Sequence, residues 1–335
     1  MTMLDFTQVA GDDEAALREW YELRRAVEDA DLPGDPPLGW ILHKGMLRHP
    51  WPGTENRAFL ARRDGVLVGW LGFYLSHTEN VKAAAVDVQV SPAYRRQGVG
   101  RAIVAEARRQ AVDLGRNRLL CEVTGPANES FATNHGARMV LADTQRRLDL
   151  TTVDDARLDG LLADAVDHSA GYSLLQWTGP TPEEHLPAVA ALESRMTTDA
   201  PMDDLQWEQE VFDVDRMRGR DAVMTARRNR AYTTAVRHDA SGVVVGTTML
   251  TVAHGVDGFA GQWQTIVEPE HRGHRLGMLL KIANLRFLQR HEPGVEVVDT
   301  WNADSNAPML RVNVEMGFAP VRQWAEWELV LEKPS

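Results

Sequence analysis

The chain has 335 residues, a length that suits two domains better than one. Its 44% apolar and 25% charged residues are typical of a soluble globular protein, and we expect no membrane helix, no secretion signal and a cytoplasmic location. The net charge of −12 argues against a nucleic-acid-binding surface. The single cysteine, Cys121, excludes an internal disulfide and a cysteine-based zinc site.

The predicted elements alternate between helices and strands and occur in the same order twice. The first set comprises an apolar start at 4–9, helices at 14–29 and 40–47, and strands at 58–62, 66–75 and 85–90. The second comprises a strand at 172–177, helices at 182–195 and 203–217, and strands at 231–236, 243–252 and 262–267. A short helix at 154–166 bridges the sets. The predicted domains are therefore 1–150 and 171–335, joined by 151–170.

An internal repeat explains this order. Residues 90–95 read Val-Ser-Pro-Ala-Tyr-Arg and residues 267–272 read Val-Glu-Pro-Glu-His-Arg, an offset of 267 − 90 = 177. The Gly-Val-Leu-Val-Gly segment at 65–69 and the Gly-Val-Val-Val-Gly segment at 242–246 keep the same offset, since 242 − 65 = 177. The period is far too long for a solenoid, so the sequence contains a duplicated domain.

A basic, glycine-containing segment at 95–101 follows the strand that ends at Val90. The next residues predict an amphipathic helix with Ile103, Ala107, Ala111 and Leu114 on one face. Glycine lets the backbone close around an anion, and the first amides of a helix attract negative charge. Strand, loop and helix together therefore predict a phosphate-binding site.

The loop resembles the acyl-CoA pyrophosphate loop of the GNAT superfamily of N-acetyltransferases, a Gln or Arg followed by Gly at the third and Gly or Ala at the fifth place after it. It occurs as Arg95-x-x-Gly98-x-Gly100 and again at 272–277, where Arg275 replaces the first glycine. Arg275 would either crowd the pyrophosphate or point outward and leave the backbone free. The resemblance implies two tandem α/β folds, each with a mixed, splayed sheet flanked by helices.

The same resemblance implies which residues contact acetyl-CoA. In the first half these are Val88, Val90, Arg95, Arg96, Gln97, Gly98, Val99, Gly100 and Arg101. In the second half they are Thr265, Val267, Arg272, Gly273, His274, Arg275, Leu276, Gly277, Asn302 and Asn306. The strand positions among them would offer a free backbone N–H to the thioester oxygen.

The end of the second half is also similar to the family pattern, in which an Asn at a helix start precedes Gly-Phe by eleven residues. Here Asn306 precedes Gly317-Phe318, and 317 − 306 = 11. The family role of this Asn is to contact the pantetheine arm, whereas its residue type also fits an N-cap. In the first half Asn128 and Gly136 are only eight residues apart.

The catalytic residues are less well determined by the sequence. The place of the family's acid, a Tyr, holds Asn313, which cannot donate a proton at neutral pH. Strand alternation puts Asp87 and Gln89 on one face, and the repeat aligns Gln264 with Asp87. Asp87 is our candidate base in the first half. An Asp that only faces solvent or forms a structural hydrogen bond would give the same sequence pattern.

We therefore interpret the chain as an acetyltransferase that moves acetyl from acetyl-CoA, as co-substrate and without a metal, to a primary amine of a small molecule. Two alternatives stay open: a protein lysine acetyltransferase, and a non-catalytic acyl-CoA sensor with degenerate halves. The second half is favoured as catalytic because it keeps a basic loop and Asn306. One of the acidic segments at 28–37 and 198–204 would help to attract the amine, and the alternative is that both are solvated loops. We expect a monomer or homodimer with no nucleic-acid or membrane partner.

Overall fold

The computed structural model describes residues 3–199 and 201–331. The chain packs as two compact units. The first unit is Met1–Val140 together with Ala325–Ser335, and the second is Leu141–Trp324. The helix predicted at 154–166 is present as Asp155–Asp167 and belongs to the second unit.

The elements follow the predicted order, but the helix predicted at 203–217 is observed at Val214–Ala226. Up to the bridging segment they are β1 (Asp5–Gln8), α1 (Glu14–Asp31), α2 (Trp40–Arg48), β2 (Thr54–Arg63), β3 (Val66–Ser76), β4 (Ala83–Val90), α3 (Val99–Asp113), β5 (Arg118–Val123), α4 (Pro126–Asn134) and β6 (Arg138–Asp149). After it come α5 (Asp155–Asp167), β7 (Tyr172–Thr178), α6 (Leu186–Ser194), α7 (Met196–Asp199), α8 (Val214–Ala226), β8 (Arg230–His238), β9 (Val244–Val252), β10 (Phe259–Val267), α9 (Leu276–His291), β11 (Val297–Ala303), α10 (Ala307–Met316) and β12 (Ala319–Val330).

Each unit has a six-stranded mixed sheet. The order is β1-β2-β3-β4-β5-β12 in the first and β6-β11-β10-β9-β8-β7 in the second. Neighbours are antiparallel except β4 with β5 and β10 with β11, which are parallel. The predicted mixed α/β fold is confirmed.

Two strands pair outside the halves to which the sequence assigned them. Residues 143–149 of β6 pair with β11, and residues 325–330 of β12 pair with β5. The predicted domains, 1–150 and 171–335 with a bridge at 151–170, follow the order of the repeat along the chain. Packing divides the chain differently, because each sheet is completed by a strand from the other copy.

Both sheets are splayed at the parallel pair. The pairing of β4 with β5 covers only Ala83–Ala85, although β4 continues to Val90. The pairing of β10 with β11 covers only Phe259–Gly261, although β10 continues to Val267. Beyond these residues the facing edges of the strands lack ladder partners, so each splay leaves a cleft lined by backbone N–H and C=O groups.

One long helix closes the core beside each splay. In α3 the residues Ile103, Ala107 and Ala111 are fully buried, as the predicted face requires, and Leu114 is the C-cap. The corresponding helix α9 is buried nearly all round, and its buried residues include Lys281 and Asn284. The chain therefore leaves each splay through a loop that leads directly into a buried helix.

Candidate active site

The first loop, residues 95–101, has the backbone expected of an anion-binding turn. Arg96 and Gly98 have φ values of 60° and 82°, in the left-handed region. Gly98 is the N-cap of α3, and no side chain caps the first amides of this helix. Those amides are therefore available to an acceptor such as a phosphate oxygen.

The second loop, residues 272–277, repeats this backbone with the residue types interchanged. Gly273 has a φ of 88° and Arg275, the uncapped N-cap of α9, a φ of 54°. With the offset of 177, Gly273 corresponds to Arg96 and Arg275 to Gly98. Each loop thus holds one glycine and one arginine in the left-handed region, so replacement of the first glycine by Arg275 does not change the turn.

The side chain of Arg275 takes the outward one of the two predicted orientations. Its guanidinium forms ion pairs with Asp164 on α5 and, at 3.4 Å, with Glu315 on α10. The charge is balanced by these two carboxylates. The backbone amides at the start of α9 are left as the anion-binding element of this loop.

The first arginine of each loop braces the turn from behind. Arg95 Nε donates to the Val90 carbonyl at 3.2 Å, and its two Nη atoms bind Asp31 at 2.7 and 2.8 Å. In the same way Arg272 Nε donates to the Val267 carbonyl at 3.0 Å, and Nη2 binds Asp199. These contacts fix each loop from behind, and the contact with the pyrophosphate that we expected of both arginines stays a prediction. Asp31 and Asp199 were assigned to acidic acceptor segments, so this pairing was missed.

The space in front of the two loops differs. A Cβ atom placed on Gly100 would lie 3.0 Å from Cζ of Phe131 on α4, which covers the start of α3. A Cβ atom placed on Gly277, its counterpart, would meet nothing within 4 Å. The ring of Phe131 therefore packs at the start of α3 beside the first loop, whereas no described atom lies within 4 Å of the matching place at Gly277.

The strand beside each cleft also differs. Strand β4 pairs with β3 in unbroken register from Ala85 to Val90. In β10 the register against β9 shifts between Gln262 and Thr265, with one extra residue on β10. Such a bulge leaves a residue outside the ladder and redirects the backbone. The second unit therefore has a distorted strand at the edge of its cleft.

In the first unit, Asp87 belongs to a group of charged side chains between β4 and α1. Gln89 Nε2 donates to Asp87 at 3.4 Å, which confirms that the two share a face. Burial raises the pKa of Asp87, and the nearby Arg24 guanidinium opposes this effect. Arg24 is also bound by Glu28 at 2.7 Å. Burial raises the pKa of Tyr74, in the same group, to about 12.

In the second unit, Gln264 binds a carboxylate that sequence reasoning missed. Gln264 Nε2 donates to Glu193 Oε2 on α6 at 3.0 Å, and Arg220 Nη1 on α8 lies 2.9 Å from the same oxygen. The helices that carry Glu193 and Arg220 lie at other distances along the chain than the helices of the first half. Alignment of the two repeats therefore did not indicate this contact.

The Asn residues of the second unit have structural partners. Asn306 caps α10, accepting from the Met309 N–H at 3.3 Å, as its residue type allowed. Asn313 is fully buried and its Nδ2 donates to Asn302 Oδ1 on β11. The structure thus brings Asn302 and Asn313 together beside the cleft, and places Thr265 against Thr248 at 2.7 Å between their hydroxyl oxygens.

Comparison with known proteins identifies the family. The model of the acetyltransferase (GNAT) family matches residues 15–136. A solved structure described as a tandem GNAT protein from the clavulanic acid biosynthesis pathway is 33% identical, with a TM-score of 0.85, covering 99% of this chain and 100% of that one. The chain belongs to the GNAT family, as a tandem member. It is an acyltransferase.

More distant structures share the fold of this tandem GNAT protein. A GCN5-related N-acetyltransferase from Sphaerobacter thermophilus is 17% identical over 98% of this chain and 96% of that one, with a TM-score of 0.65. A glucosamine N-acetyltransferase region of a fungal multi-domain β-N-acetylglucosaminidase is 15% identical over 98% of this chain and 38% of that one, with a TM-score of 0.68. No curated protein matches.

Two further findings concern the described residues alone. No helix within 3–199 and 201–331 is long and apolar enough to cross a bilayer. In the same residues no group of three or more His, Cys, Asp or Glu side chains is arranged to hold a metal ion.

Proposed function

We propose that this tandem GNAT protein transfers acetyl from acetyl-CoA to a primary amine of a small molecule, by direct attack in a ternary complex, and that transfer occurs in the second unit. The observation that carries the proposal is the open second loop at the end of a splayed strand. The uncapped start of α9 and the space beside Gly277 suit a diphosphate. The cleft between β10 and β11 suits the pantetheine arm.

The reaction needs orientation and stabilisation of charge more than a reactive side chain. The amine nitrogen attacks the thioester carbonyl carbon, the carbonyl oxygen becomes negative, and the carbon–sulfur bond then breaks to release the CoA thiolate. A backbone N–H that points into the cleft would stabilise the oxyanion. The bulge in β10 supports such a donor near Thr265, because it removes one residue from the ladder with β9.

Asn313 is not available as the acid that protonates the thiolate, since it is fully buried and donates to Asn302. A CoA thiolate can take its proton from water. Gln264 has no basic group either, and its amide is bound to Glu193. The proposal therefore assigns both amide residues to the shape of the cleft and not to proton transfer.

The test fills the space in front of the second loop. Gly277 lies in a helix, without a left-handed φ, so Gly277→Leu places a side chain over the amides without backbone strain. We expect a loss of acetyl-CoA affinity of about 100-fold and loss of thiol release with a panel of primary amines, because a bulky group there competes with the diphosphate. Wild type should bind about one acetyl-CoA per chain, since the first loop is covered.

Gly160→Leu is the matched control, because Gly160 is a helical glycine of the same unit whose added Cβ also meets nothing within 4 Å. It should bind acetyl-CoA like wild type. Unchanged affinity in Gly277→Leu would refute the site. Tight binding by wild type with no thiol release from any amine would favour a sensor.

A further inference from the structure

The carboxylate that removes the proton from the attacking amine is absent from the candidates that the sequence supplied for the second unit. We infer that it is Asp143, on the exchanged strand β6, an inference that rests on the proposed function.

Strand alternation places Asp143 on the face opposite α9. Leu148 of β6 and Val298 of β11 are paired and belong to the core under α9. Residues an odd number of positions away, including Asp143 and its partner Ala303, therefore point to the other face. Gln264 reaches α6 on that same face through Glu193. Asp143 and Gln264 thus share the face on which an acceptor would approach the thioester.

The position of Asp143 along β6 also places it near the cleft. Asp143 is paired with Ala303, the last residue of β11, whereas β11 leaves β10 after Asp299. The carboxyl group is therefore at the open end of the splay. Trp301, on the same face two residues before Ala303, is 44% exposed. This part of the face is accessible and has an aromatic surface beside the carboxylate.

Two other carboxylates that point to this face, Glu193 and Asp299, already have cationic partners. Glu193 lies 2.9 Å from Arg220, and Asp299 is bound by Arg147 at 2.6 Å. Asp143 forms no ion pair in the described part of the chain, and its Oδ1 is buried without a hydrogen-bond partner. An unpaired, partly buried carboxylate accepts a proton more readily than one held by a guanidinium.

The surroundings of Asp143 favour a base that works near neutral pH. Burial raises the pKa of Asp143 to about 6, Asp304 acts in the same direction, and the amides of Thr144 and Asn302 oppose it. Of the cations nearby, Arg147 binds Asp299 and Arg322 donates to Gln145 Oε1 at 3.3 Å. A carboxylate with this pKa is mostly ionised at pH 7 and still basic enough to take a proton.

Amide formation, proton transfer to Asp143 and release of the CoA thiolate together make up the reaction. The amine nitrogen forms a bond to the thioester carbon, its proton passes to the Asp143 carboxylate, and the carbon–sulfur bond breaks to give the CoA thiolate. Asp143 then loses its proton to solvent and the thiolate takes one from water, so the products are the amide and the CoA thiol.

The experiment measures thiol release from acetyl-CoA between pH 5 and pH 9, with an amine that wild type accepts. We expect Asp143→Asn to lower kcat by about 100-fold, the usual scale for loss of a general base. The inflection near pH 6 in the acid limb of wild-type kcat/KM should disappear in the variant, which leaves the slope due to ionisation of the amine substrate. Acetyl-CoA affinity and Tm should stay unchanged, because a carboxyl group without an ion pair is replaced by an amide of the same shape.

Asp149→Asn is the matched control, an exposed aspartate on the same strand, and should keep the wild-type rate and pH profile. An unchanged acid limb in Asp143→Asn would overturn the inference while leaving the transferase proposal intact. A rate loss accompanied by weaker acetyl-CoA binding or a lower Tm would also overturn it, because that pattern indicates a structural role. Absence of turnover in wild type would refute the proposed function itself.

Discussion

The two loops have the same backbone and opposite access. Both turns have two residues in the left-handed region, both lead into an uncapped helix, and both are braced by an arginine bound to an aspartate. Only the first is covered, by Phe131. The comparison teaches that a pyrophosphate motif defines a turn and does not determine whether a ligand can reach it. The loop closer to the family pattern is the covered one.

Removal of the Phe131 ring is the strongest test of this difference between the two loops. Phe131→Ala should open the first loop, because the ring carbon 3.0 Å from the position of an added Gly100 Cβ is then absent. We expect acetyl-CoA stoichiometry, measured by calorimetry, to rise from about one to about two per chain. Val312→Ala is the control, since Val312 precedes Gly317 by the same five residues as Phe131 precedes Gly136. Stoichiometry that stays at one would show that something other than Phe131 closes the first loop.

The two buried helices provide the next test. Lys281 in α9 is 1% exposed, and its counterpart in α3 is Val104, since 281 − 177 = 104. Burial lowers the pKa of Lys281 to about 7, and its ammonium lies 5.1 Å from the centre of the Phe318 ring. Replacing an unpaired buried charge by an apolar side chain is stabilising, so Lys281→Met should raise the free energy of unfolding at pH 6 by roughly 1–4 kcal/mol.

The sign of the pH dependence follows from the lowered pKa of Lys281. Between pH 7 and about 10.5 the unfolded chain binds a proton here that the folded chain does not, so this group makes stability rise with pH in that range. Below pH 7 both states are protonated and the cost of burying the charge is complete. The advantage of Lys281→Met in chemical denaturation should therefore shrink from pH 6 to pH 9. A constant advantage would show that Lys281 does not change its protonation state in this range.

Removal of the aspartates that hold the first arginine of each loop should have a smaller effect. Asp199→Ala removes the carboxylate that holds Arg272, and Asp31→Ala removes the one that holds Arg95. Because only the second loop is open, we expect about a tenfold loss of acetyl-CoA affinity, about 1.4 kcal/mol, for Asp199→Ala and no change for Asp31→Ala. Equal losses in both variants, in a binding titration, would contradict the difference in access.

The smallest effect is expected where the two loops differ in residue type. Arg275→Gly gives this position the residue type that the first copy has. The change removes the cost of holding an arginine in the left-handed region, which is about 1–2 kcal/mol. It also removes ion pairs with Asp164 and Glu315, which are worth up to about 1 kcal/mol at a partly exposed site. Thermal unfolding should shift by only a few degrees. An acetyl-CoA affinity changed by more than about twofold would show that the Arg275 side chain contacts the ligand.

Local patterns in the sequence predicted the fold well. The offset of 177 located both loops, and the alternation along β4 put Asp87 and Gln89 on one face. These features depend on residues that are close along the chain. The splay was expected from the family resemblance and is confirmed in both sheets.

The sequence could not indicate which long-range partner a strand or a side chain takes. Strand β6 follows the first copy without a break, and nothing in its residues shows that it pairs with β11. Asp143 was therefore counted with the wrong sheet and never considered for the second site. The sequence also could not indicate that Arg95 and Arg272 bind aspartates that are 64 and 73 residues away.

The exchanged strands determine what a break in the chain would do. A protease that cuts near residue 151 would produce two fragments, each containing one strand of a sheet formed mainly by the other. The fragments should co-elute under native conditions and separate only in denaturant. Neither copy expressed alone would have a complete sheet, so the duplicated protein behaves in folding as one indivisible assembly.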